Sequence, residues 1–214
     1  MAVTGFLLFG FVVAHMLGNL QIFFGQDAIN DYAHHLKSLP MLLWPARIFL
    51  LTVLTAHVFV SINLARQNRA ARPVRYAHAD TVQASYASRT MVISGLIVFA
   101  FIVYHLLHLT YGIAHPEFFH LIDSKGRDDV YSRIVLSFRN YFISGAYIFA
   151  MFLLCQHLGH GLSSLFQSLG LNRTRYNSAI GMFGNVFATI IFIGNVSIPA
   201  AVLLNWIPLP GKDV

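Results

Sequence analysis

A chain of 214 residues with 57% hydrophobic and only 10% charged side chains, and a positive mean hydropathy, has too little charge to cover a soluble surface, which excludes a water-soluble globular domain. Its formal charge of +6 sits on arginines beside apolar runs, so it reads as a cytoplasmic membrane face and not as a nucleic-acid surface. The single cysteine, Cys155, excludes an intrachain disulfide and a cysteine-ligated metal or iron–sulfur site, leaving histidine as the main candidate ligand.

The pattern predicts an all-α membrane protein, one domain over 1–214 with five transmembrane helices at about 3–24, 41–65, 88–114, 137–166 and 177–205. The first run lacks a basic leader and continues past signal length, so it reads as a full span. At about 1.5 Å per residue it crosses a hydrocarbon core of about 30 Å. It carries His15 and, one turn further on the same face, Asn19, which suits either a cofactor pocket or a helix–helix hydrogen bond. Residues 25–40 read as an interfacial connection with amphipathic character, closed by Pro40. Within it Asp31, Tyr32 and His34 are either solvated or the rim of a quinone pocket, where they would bind or protonate a quinone oxygen.

The second span has Trp44 at an interfacial position, Arg47 about two turns in and His57 near its far end. Arg66, Arg69, Arg72 and Arg75 follow as a polybasic turn that reads as cytoplasmic. The third span contains Arg89, Gly95, His105 and His108 and stops before Pro116. Residues 115–133, with Glu117, Asp123, Lys125, Arg127, Asp128 and Asp129, are expected as a solvated loop on the opposite side. The fourth span holds Cys155, His157, His160 and Gly161, and leads to Arg173 and Arg175. The fifth has no histidine, so it is expected to pack and not to ligate, with Gly181, Gly184, Ala188 and Gly194 allowing close approach.

Placing the amino terminus on the cytoplasmic side divides Lys and Arg evenly between the two faces. Leaving out Arg47 and Arg139, which lie within helix ends, gives a modest inside excess.

Four histidines, His15, His57, His105 and His157, lie deep in four different apolar runs. An ionisable group at bilayer depth is costly and normally has a specific partner inside the bundle. One such residue is most simply a hydrogen-bonded core group. Four on four helices make two pairs, the arrangement that two six-coordinate haem irons require in a helix bundle. Depth decides the pairing. His57 and His157 lie about 25 Å down two descending helices, whereas His105 and His15 lie about 24 and 18 Å up two ascending ones. This predicts an inner pair His57/His157 and an outer pair His15/His105, one haem near each face, with the first four helices as the haem-binding bundle. Arg47 and Arg139 read as partners of haem propionates or as snorkelling to lipid phosphate. His108 and His160, each three residues past a proposed ligand, remain rivals by periodicity. His34, His35, His78, His115 and His120 fall in connections or at helix ends and read as solvated.

The ordered set of His15 with Asn19, Pro40 opening the second span, His57, Arg89 with Gly95 ahead of His105, and His157 followed by Gly161 and Gly170 resembles the di-haem cytochrome b membrane anchor of succinate dehydrogenase and fumarate reductase. The similarity runs over nearly the whole chain. The family's spacing favours His105 over His108 and His157 over His160 as axial ligands and adds Arg89 and Gly161 to the cofactor-binding set. The resemblance implies two haem b groups, menaquinone as substrate, and docking to a flavoprotein subunit carrying FAD and to an iron–sulfur subunit. It further implies a multi-pass protein of a bacterial or archaeal cytoplasmic membrane, within a succinate:quinone oxidoreductase that can assemble as a dimer. Some fumarate reductases carry a glutamate two residues before the fourth-span ligand, serving a transmembrane proton path. Here that position is Cys155, and a thiol is a poor proton carrier in apolar surroundings, so no such path through it is expected. The chemistry on succinate or fumarate is expected in partner chains, because no Gly-rich flavin-binding motif is present. Two further readings are a haem anchor of a hydrogenase or formate dehydrogenase and, from another class, a histidine-lined metal-ion transporter.

Overall fold

The computed structural model describes residues 1–71, 86–168, 170 and 177–210. The first helix, α1 (Ala2–Asn19), is continued by a 3-10 turn over Leu20–Phe24. Gly25 ends it with φ of 100°, a left-handed-side conformation that a side chain would resist. After it come α2 (Gln26–Lys37), α3 (Pro40–Ala70), with Pro40 in its first turn, and α4 (Tyr86–His105), which runs on through a π turn at Leu106–Thr110. A short 3-10 turn at Pro116–Phe118 precedes α5 (Val130–Phe138), α6 (Tyr141–Ser168) and α7 (Asn177–Leu203). Among the described residues there is no strand, only an isolated bridge between Ile122 and Asp128. Among the described residues five helical stretches are long and apolar enough to cross a membrane: Ala2–Phe24, Pro40–Ala70, Met91–Thr110, Tyr141–Phe166 and Ser178–Leu203.

Two expectations change. The fourth span starts at Tyr141 and not at 137, because residues 137 and 138 close α5 and α6 runs over Tyr141–Ser168. Asn140 accepts from the backbone N–H of Phe142 at 2.9 Å and of Ile143 at 3.4 Å, capping α6 where α5 has stopped. Asp129 caps α5 in the same way, accepting from Ser132 N at 3.1 Å. Residues 115–133 are likewise not a solvated loop. Asp123, Arg127, Asp129 and Arg133 are all buried: the first three are bonded to α2, and Arg133 pairs with Asp128 and donates to the Phe119 carbonyl.

At the centre of that cap lies Asn30 of α2, fully buried. Its amide donates to Asp123 at 3.1 Å and to Asp129 at 3.0 Å, and its oxygen accepts from Tyr131 N at 3.0 Å. Arg127 donates to Asp123 at 2.8 Å and pairs with Asp27 at 2.7 Å and with Asp31, while Lys37 pairs with Asp128. Burial pushes the Asp123 carboxyl up, but the side-chain and backbone hydrogen bonds of Arg127, with Asn30, outweigh it and hold it well below the usual carboxylate range. Asp27 is held low chiefly by its hydrogen bonds from Lys125 and Arg127.

A buried apolar cluster sits beside this cap, where Ile22, Ile29, Ile134, Val135, Phe138, Tyr147, Ile198 and Val202 meet. α7 closes there with Asn205 at φ 57°. Trp206 N bonds Ala201 O at 2.8 Å and Asn205 N bonds Val202 O at 3.1 Å, the paired terminal bonds of a left-handed helix cap.

α6 and α7 pack through small residues. A Cβ on Gly184 would fall 2.7 Å from the Gly159 carbonyl and 2.8 Å from Ser163 Oγ, the close backbone approach that substitutes for a hydrophobic driving force in lipid. Gly194 is likewise filled by Met16 of α1, whose sulfur would lie 2.4 Å from such a Cβ, whereas Gly181 faces open space. α3 differs from its neighbours, burying only Val53. The space beside it, between α1, α4 and α6, is where the deep histidines gather.

Candidate cofactor site between four helices

The inner pair is built by all four helices. His57 of α3 and His157 of α6 face each other with ring centroids 6.4 Å apart and planes at 73°. Thr4 of α1 lies 3.1 Å from His57 Nδ1, and its hydroxyl proton is directed to the Met1 carbonyl at 2.8 Å. The Thr4 oxygen therefore accepts from His57 Nδ1–H, which leaves Nε2 as the nitrogen with a free lone pair. The glycines supply proximity: a Cβ on Gly5 of α1 would sit 3.4 Å from His57 Cε1, and one on Gly95 of α4 would sit 3.1 Å from His157 Cε1. Among the described residues His157 Nδ1 is buried without a hydrogen-bond partner, a costly state for a polar atom at this depth.

The outer pair stands ten residues further along both α1 and α4, about 15 Å at the helical rise. His15 and His105 have ring centroids 5.7 Å apart and planes at 89°. Phe11 stacks on His15 at 5.4 Å. His105 Nδ1 lies 3.3 Å from the Tyr147 hydroxyl of α6.

The rivals are spatially distinct. His108 has both ring nitrogens engaged, by Tyr147 at 2.9 Å and by Ser137 at 3.0 Å, so it has no free lone pair to offer. His160 is half-buried, and no aromatic ring lies against it among the described residues. His115 pairs with Glu117 at 3.3 Å near the surface, away from solvated isolation.

A cavity of about 180 Å³ opens beside His15, lined among others by Asn19, Tyr32, Lys37, Arg47 and Val130. Tyr32 is seated against α1, where a Cβ on Gly18 would lie 2.7 Å from its hydroxyl. Arg47 stacks on Trp44 at 5.3 Å. The structure thus brings His15, Asn19, Tyr32 and Arg47 together. Asp31 turns instead to Arg127, His34 is exposed on α2 outside the cavity lining, and Arg139 is exposed just after α5. A Cβ on Gly161 would meet nothing within 4 Å; the close-packed glycine nearby is Gly159. The Arg89 side chain, with Arg72, Arg75, His78, Arg173 and Arg175, lies outside the described residues.

Sequence reasoning missed Thr4, Gly5, Tyr147 and Lys37 as neighbours of these sites. A hydroxyl and a glycine side by side at the start of the first span, and a tyrosine two residues after Gly145, were the available signals.

The donor set fits porphyrin iron. Each level offers two imidazoles, one nitrogen from each side, and among the described residues no group of three or more His, Cys, Asp or Glu is positioned for a bare metal ion. Two donors suffice only for a metal that brings its remaining ligands with it. The side-chain-free approach at Gly95 and Gly5 is consistent with a flat group sitting between the rings.

No curated protein and no solved structure matches the chain. A protein-family model does, over residues 65–193, described as the succinate dehydrogenase/fumarate reductase transmembrane subunit. The match covers more than half of the chain and contains one histidine of each pair, His105 and His157. Apolar spans, paired imidazoles and this match converge: the chain belongs to the succinate dehydrogenase/fumarate reductase transmembrane subunit family.

Proposed function

We propose that this membrane subunit binds two haem b groups, the inner held by His57 and His157 and the outer by His15 and His105, and links an iron–sulfur subunit to membrane quinone. The observation that carries this reading is the presence of two facing imidazole pairs, drawn from four helices and separated by about 15 Å along the bundle. Haem supplies one-electron redox chemistry when bound. The chain's own part is to fix the imidazoles, exclude water and set the polarity around them. Thr4 engages His57 Nδ1 and so leaves Nε2 free for iron, Gly5 and Gly95 keep the approach open, and α6 contributes a residue to each level, His157 and Tyr147.

The amino terminus lies on the cytoplasmic side in this reading, so the inner pair adjoins the docked flavoprotein and iron–sulfur subunits, in a bacterial or archaeal cytoplasmic membrane. Arg47 and Asn19 around the cavity beside His15 are the cation and donor suited to propionate carboxylates. Tyr32 on the same cavity is the best-positioned donor for a menaquinone oxygen, ahead of Asp31 and His34. Succinate and fumarate chemistry belongs to the partner chains.

A reduced-minus-oxidised spectrum of the purified complex, with a pyridine haemochrome assay, tests the reading. Two haem b per chain are expected. A folded, colourless subunit from haem-sufficient cells would overturn it.

A further inference from the structure

His108 is 2% exposed, Ser137 is fully buried, and Tyr147 is 7% exposed, yet the three form a continuous polar chain that ends on a proposed haem ligand. The Tyr147 oxygen lies 2.9 Å from His108 Nδ1 and 3.3 Å from His105 Nδ1, and His108 Nε2 lies 3.0 Å from Ser137 Oγ. The backbone is adapted to this. Just past His105 the helix widens into a π turn, with Tyr111 N bonding Leu106 O at 2.9 Å, five residues back, a feature frequent at functional sites. Both histidines reach one phenol.

Resting on the two-haem reading, we propose that Tyr147 is a positioning residue for His105, accepting its Nδ1–H, and is itself held by His108 and Ser137. A phenol has one proton to give. If His105 offers Nε2 to iron, its Nδ1 carries hydrogen and the Tyr147 oxygen must accept. The Tyr147 proton then goes to His108 Nδ1, so His108 carries its hydrogen on Nε2 and donates to Ser137. Every donor meets one acceptor, and both histidine tautomers are fixed. An acceptor behind a ligating imidazole raises its basicity, which favours the ferric state and lowers the potential of the outer haem. The ring of Tyr147 is wedged edge-on against Phe101 and Phe138, each at 4.9 Å, so removing the hydroxyl alone leaves the ring seated.

The test uses the complex purified with its partner chains, comparing Tyr147→Phe, Ser137→Ala and His108→Gln with the unaltered protein. Haem content is measured by pyridine haemochrome, and each haem is followed by redox titration and by its ferric EPR signal. Tyr147→Phe is expected to keep two haems while the outer potential rises, its EPR signal moves and the inner haem stays put. Ser137→Ala shifts the outer haem the same way by less. His108→Gln, with an amide oxygen to accept and an amide nitrogen to donate, returns it toward the unaltered value. An outer haem unchanged in both Tyr147→Phe and Ser137→Ala overturns the inference, as does equal movement of both haems. Should Tyr147→Phe lose haem, Ser137→Ala decides by the same two outcomes. Absence of haem from the unaltered complex defeats the two-haem reading instead, whereas two haems with silent variants defeat only the role of Tyr147.

Discussion

His57 and His157 face each other at 6.4 Å from helices distant in the chain, with Gly5 of α1 beside the first ring and Gly95 of α4 close against the second. The outer pair is His15 with His105, on the two helices that give the inner pair its glycines. Each pair therefore depends on its own two ligands. Replacing His57 or His157 by alanine is expected to halve the haem content by removing the inner haem and sparing the outer, and replacing His15 or His105 to do the reverse. Haem quantification with EPR on each variant checks this. If the His57 and His105 variants lose the same haem, the pairing is wrong.

The glycines give a sharper comparison. A Cβ at Gly95 would be only 3.1 Å from His157 Cε1, tight enough that a branched side chain must displace the ring. Gly95→Val is expected to lose the inner haem and retain the outer. Gly161→Ala, with nothing within 4 Å, is expected to leave both in place. Equal haem content in these two variants would show that close approach at Gly95 is not what seats the cofactor.

The buried cap predicts a stability effect separate from haem. Asn30→Ala would leave Tyr131 N without its acceptor and take a donor from both Asp123 and Asp129. A buried group left unpaired costs about 1–3 kcal/mol, so a clear fall in the thermal midpoint is expected. Lys125→Ala removes only an exposed pair with Asp27 and is expected to change the midpoint little. Thermal unfolding in detergent, read by the same probe for both, would contradict this if Lys125→Ala were the more damaging.

The sequence reveals some of this architecture and hides the rest, for physical reasons. Long apolar runs are visible because lipid tolerates little else, and the depth of His15, His57, His105 and His157 is readable because helical rise is fixed. Which rings face each other follows from that depth. The break at Asn140 is harder to see, since an apolar pattern continues on both sides and only a side-chain cap divides it. The cap looked solvated because Asp123, Arg127 and Asp129 are charged. Their partners, Asp27, Asn30 and Asp31, lie about a hundred residues away, and no local pattern announces such a pairing. The roles of Tyr147 and His108 turn on helix rotation through a π turn, which a period of 3.6 residues does not anticipate.

The same cap should respond to acid in one direction only. Asp123 and Asp129 are held below the usual carboxylate range: burial raises each, but hydrogen bonds from Arg127 and Asn30 to the first, and from Ser132, Asn30 and Gln26 to the second, outweigh it. A carboxylate depressed in the folded state contributes stability above its unfolded value, about 3.9, and loses that contribution as pH falls through the folded value. The cap is therefore expected to be intact at neutral pH and to weaken only below about pH 4. Asp123→Asn removes the titrating charge while keeping the shape. The gap in thermal midpoint between the unaltered protein and Asp123→Asn should be widest near neutrality and should narrow on acidification, because protonated Asp123 resembles asparagine. A gap that widened as the pH fell would mean that Asp123 is not held as the carboxylate, and the charge logic of the cap would have to be reversed.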